Sequence, residues 1–468
     1  MLEIPQAKRI CIRYMKKAST TFLCKDRFLS DLNQFSTAEK FWVACSGGMD
    51  SCVLLHLFYL NKSVINQDIE VLYVNHGLQE EANDWAEFCE EQCKQYGLYF
   101  RQLKINEDCP KGASIEAWAR EKRYSLIEEV MNKNDVFFTA HHQDDQVETF
   151  FLQALRGAGP RGLASMPSIK KRENIFHARP LLNYSREKLK YYAEENKLIW
   201  QLDKSNSDYR YDRNYFRHKV IPVIEERWPA YRETIARLIK HQNESRVLLD
   251  DLGCSDIKLA QYKNTMALNL GVVKKLSLER QKNLIFSWLK ELNLKYPGAR
   301  NMEQIISDVI YSSTDKAPCV NWLDVEVRRY KNILYASNVM LQHDVSTEYQ
   351  WKPDNILNVL NETLIAKSDH GKGISKLKSK GANFVVRYRQ GGEKIQPDRS
   401  SHSKTVKQLF QEQAVLPWFR DRVPLIYING ELAVIPGICI DARYVAEKDE
   451  ASWDICWSGY ENAIDNNE

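Results

Sequence analysis

Over the first 140 positions, short β-type apolar runs alternate with stretches whose apolar residues recur at helical spacing. Phe41 to Cys45, Ile69 to Asn75, Tyr99 to Lys104 and Asp135 to Ala140 read as strands, with helical patterns between them. That order predicts an α/β unit with a parallel sheet wound by helices, because parallel neighbours need a crossover and a helix supplies it. Ligands in such folds bind beyond the carboxyl ends of the strands. Those ends carry Ser46, Asn75-His76-Gly77 and His141-His142, so three separate segments bring polar chemistry to one rim.

Further along, the pattern changes twice. From Ala230, the positions Ile235, Leu238, Ile239, Leu249 and Leu252 form a helical stripe, and Leu276 to Leu294 and Met302 to Ile310 read as further helices. A mainly helical middle domain is expected. After Trp351-Lys352-Pro353 a small α+β domain is predicted, in which Phe384 to Arg389 alternates like an exposed strand before the turn Gln390-Gly391-Gly392. The expected organisation is a catalytic domain over 1–216, a helical domain over 217–345 and a C-terminal domain over 346–468.

Composition narrows the class. A chain of 468 residues with 44% hydrophobic and 27% charged residues has the make-up of a multidomain globular protein. Its longest apolar runs fall short of the roughly 18 residues that span a bilayer, and Met1-Leu2-Glu3-Ile4-Pro5 lacks a signal-peptide core. Eleven scattered cysteines without a Cys-x-x-Cys suit reduced thiols, so a cytoplasmic protein with no membrane partner is expected. Net charge is only +4, yet residues 371–422 hold 12 Lys and Arg against four acids. Arg387, Arg389, Lys404, Lys407, Arg420 and Arg422, interleaved with aromatics, are the candidate contacts to a nucleic-acid phosphate backbone.

The first strand stops at Ser46-Gly47-Gly48-Met49-Asp50-Ser51, and a helix-type stretch begins at once. Such a corner gathers unpaired amides and the positive end of a helix dipole, which together hold phosphate. The two glycines let the backbone approach an anion, and Ser46 and Ser51 add hydroxyl donors. No Walker string is present. Asp50 among phosphate donors would repel the ligand unless a cation bridged them, which implies Mg²⁺. On the opposite segment, Asp144 or Asp145 can cap a helix, but two histidines, two aspartates and Glu148 within eight residues exceed what a cap needs. Asp145 is the natural partner of Asp50 at the metal, Asp145 and Glu148 share a helix face, and His141 at the strand end is the candidate general base.

Ser-Gly-Gly-x-Asp-Ser is similar to the signature loop of the PP-loop ATP pyrophosphatases, which implies an adenine nucleotide α-hydrolase-like fold that splits ATP between its α and β phosphates. The whole chain resembles the tRNA(Ile)-lysidine synthetase family. The carrying strings are Ser46 to Ser51, Val74 to Leu78, Glu116 with Ala119-Arg120 and Arg123-Tyr124, His141 to Thr149, Arg156-Gly157 with Gly159, Gly162 and Leu163, Arg179 to Leu182, Arg213-Asn214 with Arg217, Val386 to Glu393 and Trp418 to Leu425. The resemblance implies a tRNA-modifying ligase that adenylates the C2 oxygen of the wobble cytidine of tRNA(Ile) with ATP and joins free L-lysine to C2. It implies Ser46, Gly47, Gly48, Met49, Asp50, Ser51, His76 and Arg120 as ATP-binding. Asp50 and Asp145 follow as the Mg²⁺ pair, and Glu148 as partner of the lysine ammonium groups, with Arg213 or Arg217 for a carboxylate or phosphate.

Three alternatives share parts of this pattern. A PP-loop tRNA thiolase needs sulfur-handling cysteines, and none is expected beside the site. A small-molecule amide synthetase gives no reason for the basic C-terminal part. A non-catalytic ATP-sensing RNA-binding protein would use its aspartates only as caps.

Overall fold

The computed structural model describes residues 23–75, 77, 81–107, 109–110, 115–172, 175–203, 208–263, 265–313, 318–340, 344–359, 362–398, 400 and 402–463. The chain divides into two compact units, Met1–Asp251 and Leu252–Glu468.

In the first unit, six strands form one sheet: β1 (Lys40–Ala44), β2 (Asp68–Asn75), β3 (Tyr99–Lys104), β4 (Val136–Phe138), β5 (Ile169–Arg172) and β6 (Ile175–Ala178), in the order β3-β2-β1-β4-β6-β5. All neighbours are parallel except the β5–β6 hairpin. The four expected strands are present within one or two residues of their anticipated ends. The β5–β6 pair was not anticipated, because Lys170, Lys171 and Arg172 disguise an edge strand as a loop.

The strand order reverses at β1, whose two neighbours are β2 and β4. That reversal opens the crevice in which open α/β sheets hold ligands. Helix α1 (Met49–Asn61) leaves β1, α2 (Ala82–Tyr96) lies between β2 and β3, α3 (Ile115–Val130) precedes β4 and α4 (Gln143–Leu155) follows it. Helix α1 is apolar nearly all round, with Val53, Leu54, Leu57 and Phe58 inaccessible, as a helix covered on several sides must be. Its core partners include Phe41, Val43 and Phe138, and the Phe58 and Phe138 rings meet edge-on at 5.0 Å.

A charge cluster around the buried Glu70 ties three strands together. Glu70 of β2 pairs with Lys40 of β1 and Arg101 of β3, and both cations also stand over the Trp42 ring, at 4.5 and 5.2 Å from its centroid. Beyond α4, α5 (Arg186–Glu195) packs on α1, and α6 (Tyr231–Ala260) is the long helix expected from Ala230.

The second unit begins with helical packing of Leu278–Glu291 and Ala299–Gln304 around Trp288. A four-stranded sheet accompanies it (Leu268–Asn269, Ile333–Asn338, Val325–Tyr330, Cys319–Trp322), which the helical periodicity of the region concealed. The rest of this unit is built of three antiparallel sheets with two short helices among the described residues, Val406–Glu412 and Tyr460–Ala463. Phe384–Arg387 is a strand, but its Phe384, Val385 and Val386 are all buried between the strands Tyr349–Trp351 and Leu425–Ile428, so the exposed-strand expectation fails there. Among the described residues, no helix is long and apolar enough to cross a membrane.

Candidate active site

The corner after β1 has the geometry of an anion cradle. Gly47 takes φ +79°, a backbone conformation that only glycine adopts without strain, and Gly48 opens α1 with no side-chain cap on its first amides. The loop is braced from within. Ser51 Oγ donates to the Gly48 carbonyl at 2.8 Å and accepts from the Ser46 amide at 3.1 Å, and the Gln201 amide donates to the Gly47 carbonyl at 2.8 Å. Ser51 therefore shapes the loop rather than offering its proton to a ligand. Ser46 is exposed with its hydroxyl at the rim, and Met49 is buried beneath it.

Thiols do lie beside this loop, contrary to the expectation from sequence. Cys52 Sγ is 3.4 Å from the Gly47 carbonyl, Cys45 and Cys89 are in sulfur contact at 3.5 Å, and all three are buried. They fill the space under the loop and are shielded from any transferred sulfur; helical folding brings Cys89 to a position that its sequence distance hides.

The acidic segment converges on the same corner. Asp50 in the first turn of α1 and Asp145 in the first turn of α4 each place Oδ2 beside His142 Nε2, at 3.6 and 3.5 Å. Asp50 Oδ1 is buried with no hydrogen-bond partner. Burial by itself would lower the His142 pKa, but Asp145, Asp50 and Asp144 outweigh it and raise the value. For Asp145, burial is the largest single influence and acts upward, but His142, Arg213, His141 and the His142 amide together outweigh it and hold its carboxyl down to about 2. Asp145 also accepts the His142 amide at 2.9 Å, so it serves as a helix-end partner as well. Asp144 is structural: it accepts the Arg186 amide at 2.8 Å and Arg232 Nε at 2.7 Å.

Glu148 is fully buried between two guanidiniums. Arg213 Nε donates to it at 2.7 Å and Arg217 Nε at 2.6 Å, while the Nη2 atoms of both reach Asp145 Oδ1, at 2.8 and 3.2 Å. Two acids and two arginines thus close on each other, so the arginines expected to hold a ligand are engaged internally. Helical residues Asp212–Tyr215 and Phe216–Val220 position them, anchored by Phe216 against Phe151 at 5.2 Å.

His141 follows β4 and accepts or donates at Nδ1 to Thr139 Oγ1, 2.7 Å away. Burial, reinforced by Arg179, Arg213 and Arg120 against the opposing pull of Asp145, depresses its pKa to about 3. A base that weak does not suit the role expected from sequence. Arg120 on α3 is exposed and lies within electrostatic reach of His141. His76 lies outside the described residues. Sequence reasoning passed over Arg232, Thr139, His177 and Arg179; only the Arg179 string offered a signal.

In the C-terminal region the six expected cations separate. Lys407 is exposed on the short helix and has no ion pair among the described residues. Arg389 reaches Asp421 at 3.3 Å, Arg387 pairs with Glu348 and covers the Tyr427 ring, and Lys404 pairs with Glu412. Arg420 Nε donates to the Val415 carbonyl at 3.0 Å. Arg422 is only 8% exposed, so it is withdrawn as a backbone contact: packing in the C-terminal body leaves it no face to offer.

A PP-loop domain model matches residues 22–224, a TilS substrate binding domain model 268–335 and a TilS substrate C-terminal domain model 384–457. A tRNA(Ile)-lysidine synthase of Coxiella burnetii is 36% identical over 432 residues, covering 92% of this chain and 96% of the relative. The chain belongs to the tRNA(Ile)-lysidine synthase family. Another member, from Methylococcus capsulatus, is 35% identical over 89% of this chain and 94% of its own, and one from Legionella pneumophila strain Paris is 33% identical over 92% and 98%.

Proposed function

We propose that this chain is an ATP-dependent ligase that converts the wobble cytidine of tRNA(Ile) to lysidine, releasing AMP and pyrophosphate. The observation that carries the reading is the uncapped glycine corner at the sheet's reversal, faced by Asp50 and Asp145, in a chain aligned over about nine-tenths of its length with synthases of that name. The expected division into 1–216, 217–345 and 346–468 is retained, with catalysis in the first part and tRNA contacts in the other two.

The chemistry follows from the groups present. Cytosine O2 is a poor leaving group, so it must first become an ester; its attack on the α phosphorus forms an adenylate and expels pyrophosphate. The amides of Gly48, Met49 and Asp50, with Ser46 Oγ, would hold the departing phosphates, and Arg120 would take charge on the α phosphate. The lysine ε-ammonium must first lose a proton; the free amine then bonds to C2 as the C2–O bond breaks and AMP leaves.

Asp50 and Asp145 would hold Mg²⁺. Both carboxylates flank the His142 ring, whose place beside them a cation would share or take, and the unpartnered Asp50 Oδ1 is the kind of atom a cation satisfies. Two carboxylates would leave such an ion to take the rest of its shell from water and phosphate. When bound, the ion supplies positive charge to the outer phosphates. Free lysine would enter by exchanging ion pairs: its ammonium replaces a guanidinium on Glu148, and the released Arg213 or Arg217 takes its carboxylate.

Incubation of the protein with ATP, lysine and a tRNA(Ile) bearing a wobble cytidine tests the reading. AMP and pyrophosphate should form, and nucleoside mass analysis should find lysine joined to cytidine. ADP as product, or turnover without tRNA, defeats the reading; a thiolated nucleoside would favour the thiolase.

A further inference from the structure

A chain of hydrogen bonds runs behind His141 that no part of the proposed reaction has yet used. Arg179 is buried after β6, with Nη1 donating to the Pro167 carbonyl at 2.8 Å and Nη2 lying 3.1 Å from His177 Nδ1. His177, wholly inaccessible on β6, places Nε2 2.9 Å from Thr139 Oγ1, and the same oxygen lies 2.7 Å from His141 Nδ1. Four residues from two segments thus form one continuous line that ends at the catalytic rim.

Direction along this line is decided at its buried end. A guanidinium has five donors and no acceptor, so the nitrogen facing it must carry a lone pair. His177 Nδ1 is therefore bare. A neutral imidazole with a bare Nδ1 carries its proton on Nε2, and that proton points at Thr139 Oγ1. The threonine oxygen accepts it; among the described residues Oγ1 has no third partner to take its hydroxyl proton, so accepting from both rings would leave that proton unsatisfied, and it is donated to His141 Nδ1. His141 Nδ1 is bare in turn.

We propose that Arg179, His177 and Thr139 act as positioning residues that lock His141 in the Nε2–H form, so that it offers the reaction a hydrogen-bond donor in place of a base. An N–H on the rim suits an oxygen that gains negative charge, as the phosphate oxygens do during adenylation. The reverse polarity would face two donors across 3.1 Å in an inaccessible pocket and leave both unsatisfied. Burial depresses the pKa of both rings, His177 to about 2 and His141 to about 3, which keeps each neutral and able to hold one tautomer. The catalytic meaning of this lock rests on the proposed synthetase reading; the lock itself does not.

The test uses full-length protein labelled with ¹⁵N-histidine, without substrates, read by two-bond ¹H–¹⁵N correlation at pH 7, with His141 assigned by its loss in His141→Gln. His141 should show a pyridine-type Nδ1 and a pyrrole-type Nε2, as a single tautomer. Thr139→Val removes the hydroxyl at nearly constant shape and should release His141 to a tautomer mixture, whereas Thr139→Ser should keep the single form. Turnover should fall at least about tenfold in Thr139→Val and recover in Thr139→Ser. A pyrrole-type Nδ1 on His141 in the wild type, or an unchanged spectrum in Thr139→Val, overturns the proposal. Should Thr139→Val not fold, the wild-type spectrum alone still decides. A correct tautomer in a protein that makes no lysidine would sink the proposed reaction and leave the lock standing.

Discussion

Asp50 is held by little besides His142, and one of its carboxylate oxygens is buried without a partner. Such an atom is costly to keep unless a ligand satisfies it, so its contribution belongs to function more than to folding. Asp50→Ala should therefore fold normally and bind tRNA, while AMP release falls by roughly a hundredfold or more, measured by chromatography of the nucleotide products. Near-native turnover would remove Asp50 from the reaction. Glu148 is the opposite case. Its carboxylate already compensates two arginines, so its place in catalysis depends on an exchange of partners that the free protein does not show. Residue types alone announced both acids; whether each was idle or engaged came from packing.

At the level of elements, β1, β2 and β3 are joined by more than their ladders. Glu70 between Lys40 and Arg101 sits where burial would raise its pKa, yet hydrogen bonds and charge from Arg101 and Lys40 lower it overall. A depressed folded value means the contribution is present above the ordinary carboxyl pKa and lost as pH falls through the folded value. Glu70→Gln should thus lower the urea midpoint near pH 7 by an amount equivalent to roughly 1 kcal/mol, with wild type and variant converging at low pH. A constant difference at all pH values would show that packing, not charge, connects these strands. The strands themselves were legible as apolar runs bounded by polar turns. The β5–β6 hairpin was not, because an edge strand with three basic residues lacks the alternation that marks a half-buried one.

For the whole molecule, the basic C-terminal region is less of a phosphate surface than its composition suggested. Arg387, Arg389 and Lys404 spend charge on acids of the same body, and Arg422 is buried, leaving Lys407 the clearest free cation of the six. Lys407→Ala should weaken tRNA binding and reduce the slope of log affinity against log salt by about 0.7–0.9, with ATP affinity unchanged; filter binding across a salt series measures it. Arg389→Ala should act in the same direction more weakly, since Asp421 already offsets part of its charge. If neither substitution alters the salt slope, tRNA is held by another face.

The sequence by itself determined the strand-and-helix alternation, the glycine corner and the presence of acids opposite it. Each of these is local: apolar spacing, a left-handed glycine and a run of polar residues are written within a few positions of one another. Tertiary structure decided which charges were satisfied. The arginines on Glu148, the thiols under the phosphate loop and the Arg179-to-His141 line join residues dozens of positions apart, and a hydrogen-bond direction is set only when a donor without an acceptor is buried against it.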